Sequence, residues 1–190
     1  MSRRNHTFAV DEYYHCYNRG TDKRIVFGDA QDYTYFLRSI NAYNSIESLG
    51  KLRLHQNYQT EQKIVDIEAL CLLPNHFHMV LKERIDQGIS KFMQRVGIGY
   101  TMYFNEKNSR SGALFQGAFK SKHLPSDQDL KQVVAYVAYN NILHSIDNSA
   151  LYRSYLNEDS QVRDPNSNSE QIPNMIEISE IIKEQRLSFD

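Results

Sequence analysis

The 190-residue chain contains no tryptophan, only two cysteines and only four prolines. Two cysteines without a secretory start do not make a disulfide framework, so Cys16 and Cys71 are interpreted as small buried side chains in a reducing cytoplasm. No apolar run approaches the ~18 residues that a membrane-spanning helix needs. The first ten residues, MSRRNHTFAV, lack the apolar region of a signal peptide. We therefore expect a cytoplasmic protein with no membrane partner.

Several motifs of metal and nucleotide sites are also missing. The chain has no Gly-rich phosphate loop, no CxxC or HExxH sequence and no acidic calcium-binding loop. These absences argue against a structural zinc knuckle. A metal site in this chain must therefore combine ligands that are distant in sequence.

Net charge is nearly absent at −1, but the charges are unevenly distributed. Residues 1–125 carry 17 Lys and Arg against 12 Asp and Glu, whereas residues 126–190 carry 5 against 11. A basic body with an acidic end suits a nucleic-acid partner for the body. The 13 tyrosines suit stacking on unpaired bases, and they suit the strand surfaces of a mixed α and β protein equally well.

The periodicity of the apolar residues predicts an α+β fold. Asp29 and Ser126 are predicted helix N-caps, and the Pro74-Asn75 break between two apolar runs indicates an antiparallel hairpin. The prediction is a mainly antiparallel sheet with helices packed against it. The predicted strands are 12–18, 64–73 and 76–82, with an extended segment at 113–124; the predicted helices are about 30–48, 86–105, 127–144 and, after a polar linker at 157–174, 175–187.

Two histidines flank one large apolar residue in the predicted strand HFHMVLK. In a strand, His76 and His78 project to the same face, about 6–7 Å apart along the strand, while Phe77 points into the core on the other face. Two imidazoles at this spacing can reach one divalent cation. Hydrogen-bonded structural histidines are the alternative interpretation.

The predicted helix 127–144 offers the missing part of such a site. Tyr136 and Asn140 are four residues apart and therefore share one helical face. Asn141 and His144 are further polar candidates on this helix. An ordinary amphipathic helix explains the valines of this segment, but it does not require the adjacent asparagines.

Several blocks of the sequence together resemble the one-tyrosine HUH transposases, described as IS200-like, and in particular the REP-associated tyrosine transposases. HUH denotes histidine, bulky apolar residue, histidine, which is the order of residues 76–78. One position departs, because the family often has Asn-Pro where this chain has Asn140-Asn141. The blocks that carry the resemblance, in family order, are YHCYNRGTDKRIVF (14–27), DAQDYTYFL (29–37), CLLPNHFH (71–78), YTMYFNEKNSRSGALFQGAFKSKHL (100–124), AYVAYNNILH (135–144) and LYRSY (151–155).

The resemblance implies a ferredoxin-like or RRM-like architecture. In it, helices pack on an antiparallel sheet, the HUH motif lies on a central strand and the catalytic tyrosine lies on a helix. Residues 1–156 would form the catalytic domain, and residues 157–190 would be a polar linker with a short helical appendage.

The resemblance also implies roles for individual residues. His76, His78 and Asn140 would be ligands of Mg²⁺ or Mn²⁺, with phosphate and water completing the coordination. Tyr136 would attack phosphorus to give a 5′-phosphotyrosine and a free 3′-hydroxyl. Tyr139 is the competing nucleophile, and Tyr136 is favoured because the Tyr-x-x-x-Asn spacing keeps nucleophile and ligand on one face.

The implied substrate is single-stranded DNA that carries a hairpin, of the repeat-type palindromic class. A homodimer and a monomer are both compatible with the resemblance. Basic side chains would meet phosphates and a glutamine could touch a base edge, although a solvated basic face explains many of them singly. The DNA-binding candidates are Arg19, Lys23, Arg24, Arg95, Lys107, Arg110, Gln116, Lys120 and Lys122.

Two other functions compete with a metal-dependent DNA endonuclease and strand transferase. A non-catalytic module that binds hairpins or single strands is expected to have lost a histidine or the tyrosine. A two-histidine metal protein or phosphoesterase of unrelated fold would not need the NRG turn or the LFQG block. Because the histidine pair and Tyr136 are all present, the sequence favours the enzyme.

Overall fold

The computed structural model describes residues 7–46 and 62–143, the last three of these for their backbone alone. Strands and helices alternate along these residues in the way that the apolar patterns predict. The elements are β1 (Tyr13–Arg19), a 3₁₀ turn (Thr21–Lys23), α1 (Ala30–Tyr43), β2 (Val65–Leu73), β3 (His76–Glu83), α2 (Gly88–Lys107), β4 (Lys120–Leu124) and α3 (Asp127–Leu143).

The four strands form one sheet in the order β2-β3-β1-β4, and every neighbouring pair is antiparallel. This order and the succession βαββαβ are those of the ferredoxin-like architecture, which confirms the predicted fold class. The HUH residues begin β3, which is one of the two central strands. The hairpin around Pro74-Asn75 is confirmed as the connection between β2 and β3.

Helices α1 and α2 cover one face of the sheet, which we call the closed face. Phe77 projects into it and packs against Phe36 and Phe115, with ring centroids 5.2 and 5.7 Å away. Tyr100 of α2 is fully buried there and donates a hydrogen bond of 2.5 Å to the Val26 carbonyl. Burial of these large rings makes the closed face the main source of hydrophobic stabilisation.

Helix α3 lies across the opposite face, which we call the site face. Because side chains alternate along a strand, the residues next to Phe77 in sequence point to this side. Among the described residues, the apolar cluster under α3 has fewer members than the closed-face core and contains no phenylalanine. It therefore leaves room for polar groups. It contains Ala69, Cys71, Leu73, Val80, Leu124, Val133, Tyr136 and Val137.

Both predicted N-caps are confirmed. The Asp29 carboxylate accepts a hydrogen bond from the Asp32 backbone N–H at 3.1 Å, at the start of α1. The Ser126 hydroxyl accepts one from the Asp129 backbone N–H, also at 3.1 Å, just before α3. Each cap satisfies a donor that the first helical turn cannot satisfy itself.

Two predicted boundaries were wrong. Helix α1 ends at Tyr43 and does not continue to residue 48, because the Asn44 side chain is hydrogen-bonded to the backbone at the start of β2. The extended segment predicted at 113–124 is a strand only from Lys120. Its first half turns at Gly117, whose positive φ of 94° is accessible mainly to glycine.

Some predictions lie outside the described residues. These are the LYRSY block, the domain boundary at 156, the linker at 157–174 and the terminal helix at 175–187. Helix α3 continues through Asn141 to Leu143, whereas the predicted end at His144 is not described. Within the described stretches, no helix is long and apolar enough to cross a membrane.

Candidate active site

The two HUH histidines lie side by side on the site face, as predicted. Strand β3 is held between β2 and β1, with Cys71 and Tyr17 directly opposite His78. The rings of His76 and His78 have centroids 5.1 Å apart and are nearly perpendicular. His78 is buried, whereas His76 at the strand end is half-buried. One imidazole is therefore held inside the site and the other lies at its rim.

A third histidine, which the sequence analysis missed, completes this cluster. The His15 Nε2 atom lies 2.9 Å from His78 Nδ1, and the His15 side chain is 0% exposed. Burial, with a smaller contribution from the positive charge of Lys122, lowers the pKa of His15 from 6.5 to about 3. His15 is therefore a neutral imidazole at physiological pH.

Tyr136 of α3 faces the two buried histidines. Its ring centroid is 5.7 Å from that of His78 and 6.2 Å from that of His15, with both contacts edge-on at 85° and 78°. Tyr139, the competing candidate, is partly buried and packs against the apolar cluster under α3. The fold thus brings the hydroxyl-bearing ring of Tyr136 next to the HUH motif, across about sixty residues of sequence.

Asn140 lies one helical turn after Tyr136 on the buried side of α3. Its Nδ2 atom is buried and has no hydrogen-bond partner among the described residues. A side-chain flip exchanges the oxygen and nitrogen of an amide, so either atom of Asn140 can occupy the unsatisfied position. Such a buried group costs about 1–3 kcal/mol unless a ligand binds it. An unsatisfied amide on the same helical face as Tyr136 fits a ligand-binding role.

The donor set limits which metal chemistry the site can support. The described part of the chain contains no cluster of three or more His, Cys, Asp and Glu side chains that could hold a metal ion. A cation at the HUH motif would therefore depend on two imidazoles, one amide oxygen, water and substrate oxygens. Such an incomplete protein shell suits a catalytic cation that leaves positions open for substrate, and not a closed structural site.

Three of the basic candidates lie on the site face beside the histidines. Arg19 is directly opposite His76 in the sheet, and the edge strand places Lys122 beside His15. Lys120 is opposite Tyr17, with its Nζ atom 6.0 Å from the centre of that ring. Both lysines and Arg19 are exposed, so a phosphate backbone could reach them.

The loop after β1 and the segment before β4 lie at the same end of the sheet as His76. The Asn75 side chain donates a hydrogen bond of 3.3 Å to the Lys23 carbonyl, and the Gln116 backbone N–H donates one of 2.9 Å to the Arg19 carbonyl. Arg24 folds back on its own loop and bonds the Thr21 carbonyl at 2.9 Å. Lys23 and Gln116 are thus exposed near the site, whereas the Arg24 guanidinium is partly engaged.

The other basic candidates belong to the helical layer on the closed face. Arg95 donates a hydrogen bond of 2.6 Å to the Ser45 carbonyl, and Arg110 bonds the Ala113 carbonyl at 3.0 Å. The Lys107 amine pairs with Asp29 at 2.7 Å and with the buried Asp32 at 2.6 Å. Although burial lowers the pKa of Lys107, these hydrogen bonds raise it above its usual value. The structure does not bring these three residues to the histidine cluster.

Comparison with known proteins places the site in a family context. A family model described as "Transposase IS200 like" matches residues 32–140, which is more than half of the chain and includes the HUH motif, Tyr136 and Asn140. A solved structure described as a REP-associated tyrosine transposase bound to a REP hairpin is similar, with 15% sequence identity and a TM-score of 0.49, covering 76% of this chain and 74% of that one. No curated protein matches the chain in sequence.

Proposed function

This chain belongs to the family of IS200-like transposases, and we propose that it cleaves and rejoins single-stranded DNA through a covalent bond to Tyr136. Family membership supports a transposase-type, DNA-processing activity. The observation that carries the finer proposal is the position of Tyr136, edge-on to His78 at 5.7 Å and joined on the same helical face by a buried Asn140.

The proposed reaction is a transesterification in which phosphodiester bonds are conserved. The Tyr136 phenol loses its proton and its oxygen forms a bond to phosphorus, while the bond from phosphorus to the 3′ oxygen breaks. The 3′ oxygen takes up a proton and leaves as a hydroxyl, and the DNA on the 3′ side of the cut stays on the protein through its 5′ phosphate, as a 5′-phosphotyrosine. Attack by a 3′-hydroxyl on this intermediate restores a DNA strand and frees the tyrosine.

His76, His78 and Asn140 would hold the divalent cation of this reaction, Mg²⁺ or Mn²⁺. When bound, the cation would supply Lewis-acid polarisation of the scissile phosphate. Mn²⁺ accepts imidazole more readily than Mg²⁺ does, since Mg²⁺ prefers oxygen ligands. The unsatisfied Asn140 amide and the rim position of His76 support this ligand set.

Tyr136 is proposed as the nucleophile in preference to Tyr139 for a geometric reason. Both tyrosines pack in the apolar cluster under α3, but the Tyr136 ring also contacts the two buried histidines. A nucleophile must lie next to the group that orients the phosphate, because productive attack requires a near-attack geometry. Tyr136 also shares its helical face with Asn140, because the two residues are four positions apart, whereas Tyr139 does not have this spacing.

We propose that the DNA strand crosses the site face along the exposed side of β1 and β4. Arg19, Lys120 and Lys122 would contact its phosphates, and the half-buried Tyr17 would stack on a base. The proposed substrate is a hairpin with a single-stranded flank, which follows from the motif resemblance. An unpaired flank is needed because the phosphate must enter a site that is partly covered by α3.

The test is a covalent adduct between the protein and a hairpin-bearing oligonucleotide. Oligonucleotides from the DNA that flanks the gene are incubated with Mg²⁺ or Mn²⁺ and separated on a denaturing gel. We expect an adduct with the native protein and with Tyr139→Phe, and none with Tyr136→Phe. An adduct that persists in Tyr136→Phe would contradict the proposal, and binding of hairpins without any adduct would identify a non-catalytic binding module instead.

A further inference from the structure

We infer that His15 is a positioning residue that fixes the tautomer and ring orientation of His78, so that His78 presents an unprotonated Nε2 to the cation. This inference rests on the metal role proposed for His78 above. It assigns a function to a buried side chain on β1 that the proposed reaction does not otherwise use.

The distance between the two rings carries the inference. His15 Nε2 and His78 Nδ1 are 2.9 Å apart, and a hydrogen bond at this distance contains a single hydrogen. If His78 Nδ1 donates it, the lone pair of neutral His78 is on Nε2, available to a metal. If His15 Nε2 donates it, neutral His78 carries its hydrogen on Nε2 and cannot ligate there. Metal binding at Nε2 therefore requires His15 to be the acceptor.

The sheet holds His15 in a fixed position against His78. The His15 side chain is 0% exposed. Strand β1 is paired on both sides, to β3 and to β4, so the His15 backbone is fixed relative to His78. Metal-ligating histidines are commonly oriented in this way by a hydrogen bond to their second nitrogen.

Tyr17 restrains the same pair of rings in another direction. Its ring lies 5.7 Å from that of His78 at an interplanar angle of 23°, and 5.2 Å from that of His15 at 32°. This near-parallel packing limits tilting of both imidazoles but does not distinguish one ring nitrogen from the other. The hydrogen bond to His15 supplies that distinction, because it directs Nδ1 of His78 towards β1.

The tautomer can be measured in the metal-free full-length protein. Long-range ¹H–¹⁵N correlation spectra at neutral pH distinguish protonated from unprotonated ring nitrogens, and the variants His15→Gln and His78→Gln assign the signals. We expect His78 to carry its hydrogen on Nδ1 and His15 to accept from it. A His78 ring protonated on Nε2 with His15 as donor would overturn the inference, whether or not the protein cleaves DNA.

The effect on metal binding separates positioning from packing. Glutamine at residue 15 places an acceptor oxygen close to the original Nε2 position, whereas leucine has a similar volume and no acceptor. We expect His15→Leu to weaken Mn²⁺ binding about 10- to 100-fold, measured as free Mn²⁺ by electron paramagnetic resonance, and His15→Gln to restore most of it. Equal affinities for His15→Leu and the native protein would overturn the inference.

A matched control uses the histidine on the edge strand. His123 pairs with Glu12 at 2.7 Å and lies on the closed face, opposite Tyr14 in the sheet. His123→Gln should leave Mn²⁺ affinity unchanged. If the tautomer and affinity results are as expected but no hairpin forms an adduct, the strand-cleavage proposal fails and the assignment of His15 stands. If the native protein does not bind Mn²⁺, the metal role of His78 fails, and the assignment of His15 fails with it.

Discussion

The two sides of the structure each bury an asparagine, and the two side chains differ in their hydrogen bonds. On the closed face, Asn44 donates to the Val65 carbonyl at 2.9 Å and accepts from the backbone N–H groups of Ile64 and Val65 at 3.0 Å each. On the site face, Asn140 has a buried Nδ2 with no partner among the described residues. The first asparagine is fully hydrogen-bonded within the fold, whereas one end of the second is unsatisfied.

The same contrast holds along strand β3, where adjacent residues serve opposite faces. Phe77 packs into an aromatic core, whereas His78 contacts His15 and Tyr136. Polar groups on the closed face, such as the Tyr100 hydroxyl, have backbone partners. A site that binds ligands must keep some groups incompletely satisfied, so the closed face has to supply the stability.

Replacing Phe77 and its neighbour His78 should give the largest difference in the free energy of unfolding between the two faces. We expect Phe77→Ala to lower the free energy of unfolding by about 3–5 kcal/mol, because it leaves a cavity among large rings. His78→Gln should lower it by no more than about 1.5 kcal/mol, the value of one hydrogen bond, while abolishing the DNA adduct. Urea denaturation monitored by circular dichroism measures both. A larger loss of stability for His78→Gln than for Phe77→Ala would refute the division between the faces.

The two buried asparagines provide a matched pair for the next test. Asn44→Leu should destabilise the protein by about 3 kcal/mol, because it leaves buried backbone groups at the start of β2 without partners. Asn140→Leu should change the free energy of unfolding by less than about 1 kcal/mol, since it removes a group that is unsatisfied in the native protein. The same urea series measures both, and a comparable loss for the two variants would show that Asn140 is an ordinary structural residue.

His15 makes stability depend on pH. Its pKa falls from 6.5 in the unfolded chain to about 3 in the folded protein, because burial disfavours the imidazolium. As the pH falls, the unfolded chain therefore takes up a proton on His15 before the folded protein does. The contribution of His15 to the free energy of unfolding is complete above the unfolded pKa and is lost as the pH falls below it. Between about pH 7 and about pH 5 the free energy of unfolding should decrease by about 2 kcal/mol more in the native protein than in His15→Gln. Parallel pH profiles for the two proteins would contradict a buried, neutral His15.

The basic residues should show the smallest effects. Lys120→Ala and Lys122→Ala should each weaken binding of a hairpin oligonucleotide a few-fold. Each should also reduce the slope of log affinity against log salt by about 0.7, the value for one phosphate contact on a single strand. Lys107→Ala, on the closed face, should leave the slope unchanged and lower stability through loss of its pairs with Asp29 and Asp32. Fluorescence anisotropy over a salt series measures the slopes, and a reduced slope for Lys107→Ala would place DNA on the helical layer.

The parts of the site that depend on local periodicity were predictable from the sequence. Alternation along a strand places His76 and His78 on one face and Phe77 on the other, and the four-residue spacing of Tyr136 and Asn140 places them on one helical face. The order of the motifs along the chain predicted the family and the sheet architecture. These predictions needed no knowledge of which strands are neighbours.

The remaining parts depend on contacts between distant residues, which local pattern does not determine. His15 meets His78 only because β1 pairs with β3 in one register, and a strand histidine next to two tyrosines gives no sign of that register. Lys107 was predicted to contact DNA, but its ion pairs join the last residue of α2 to the start of α1, two positions that are far apart in sequence. The early end of α1 likewise follows from hydrogen bonds between Asn44 and β2.

Identification of the residue that is joined to DNA tests the central claim most directly. The denatured adduct is digested with nuclease and protease, and mass spectrometry locates the remaining 5′-nucleotide on one peptide. Our account predicts that this nucleotide is attached through phosphorus to the phenolic oxygen of Tyr136, beside the HUH histidines. Attachment to Tyr139, or to any residue away from the site face, would contradict it.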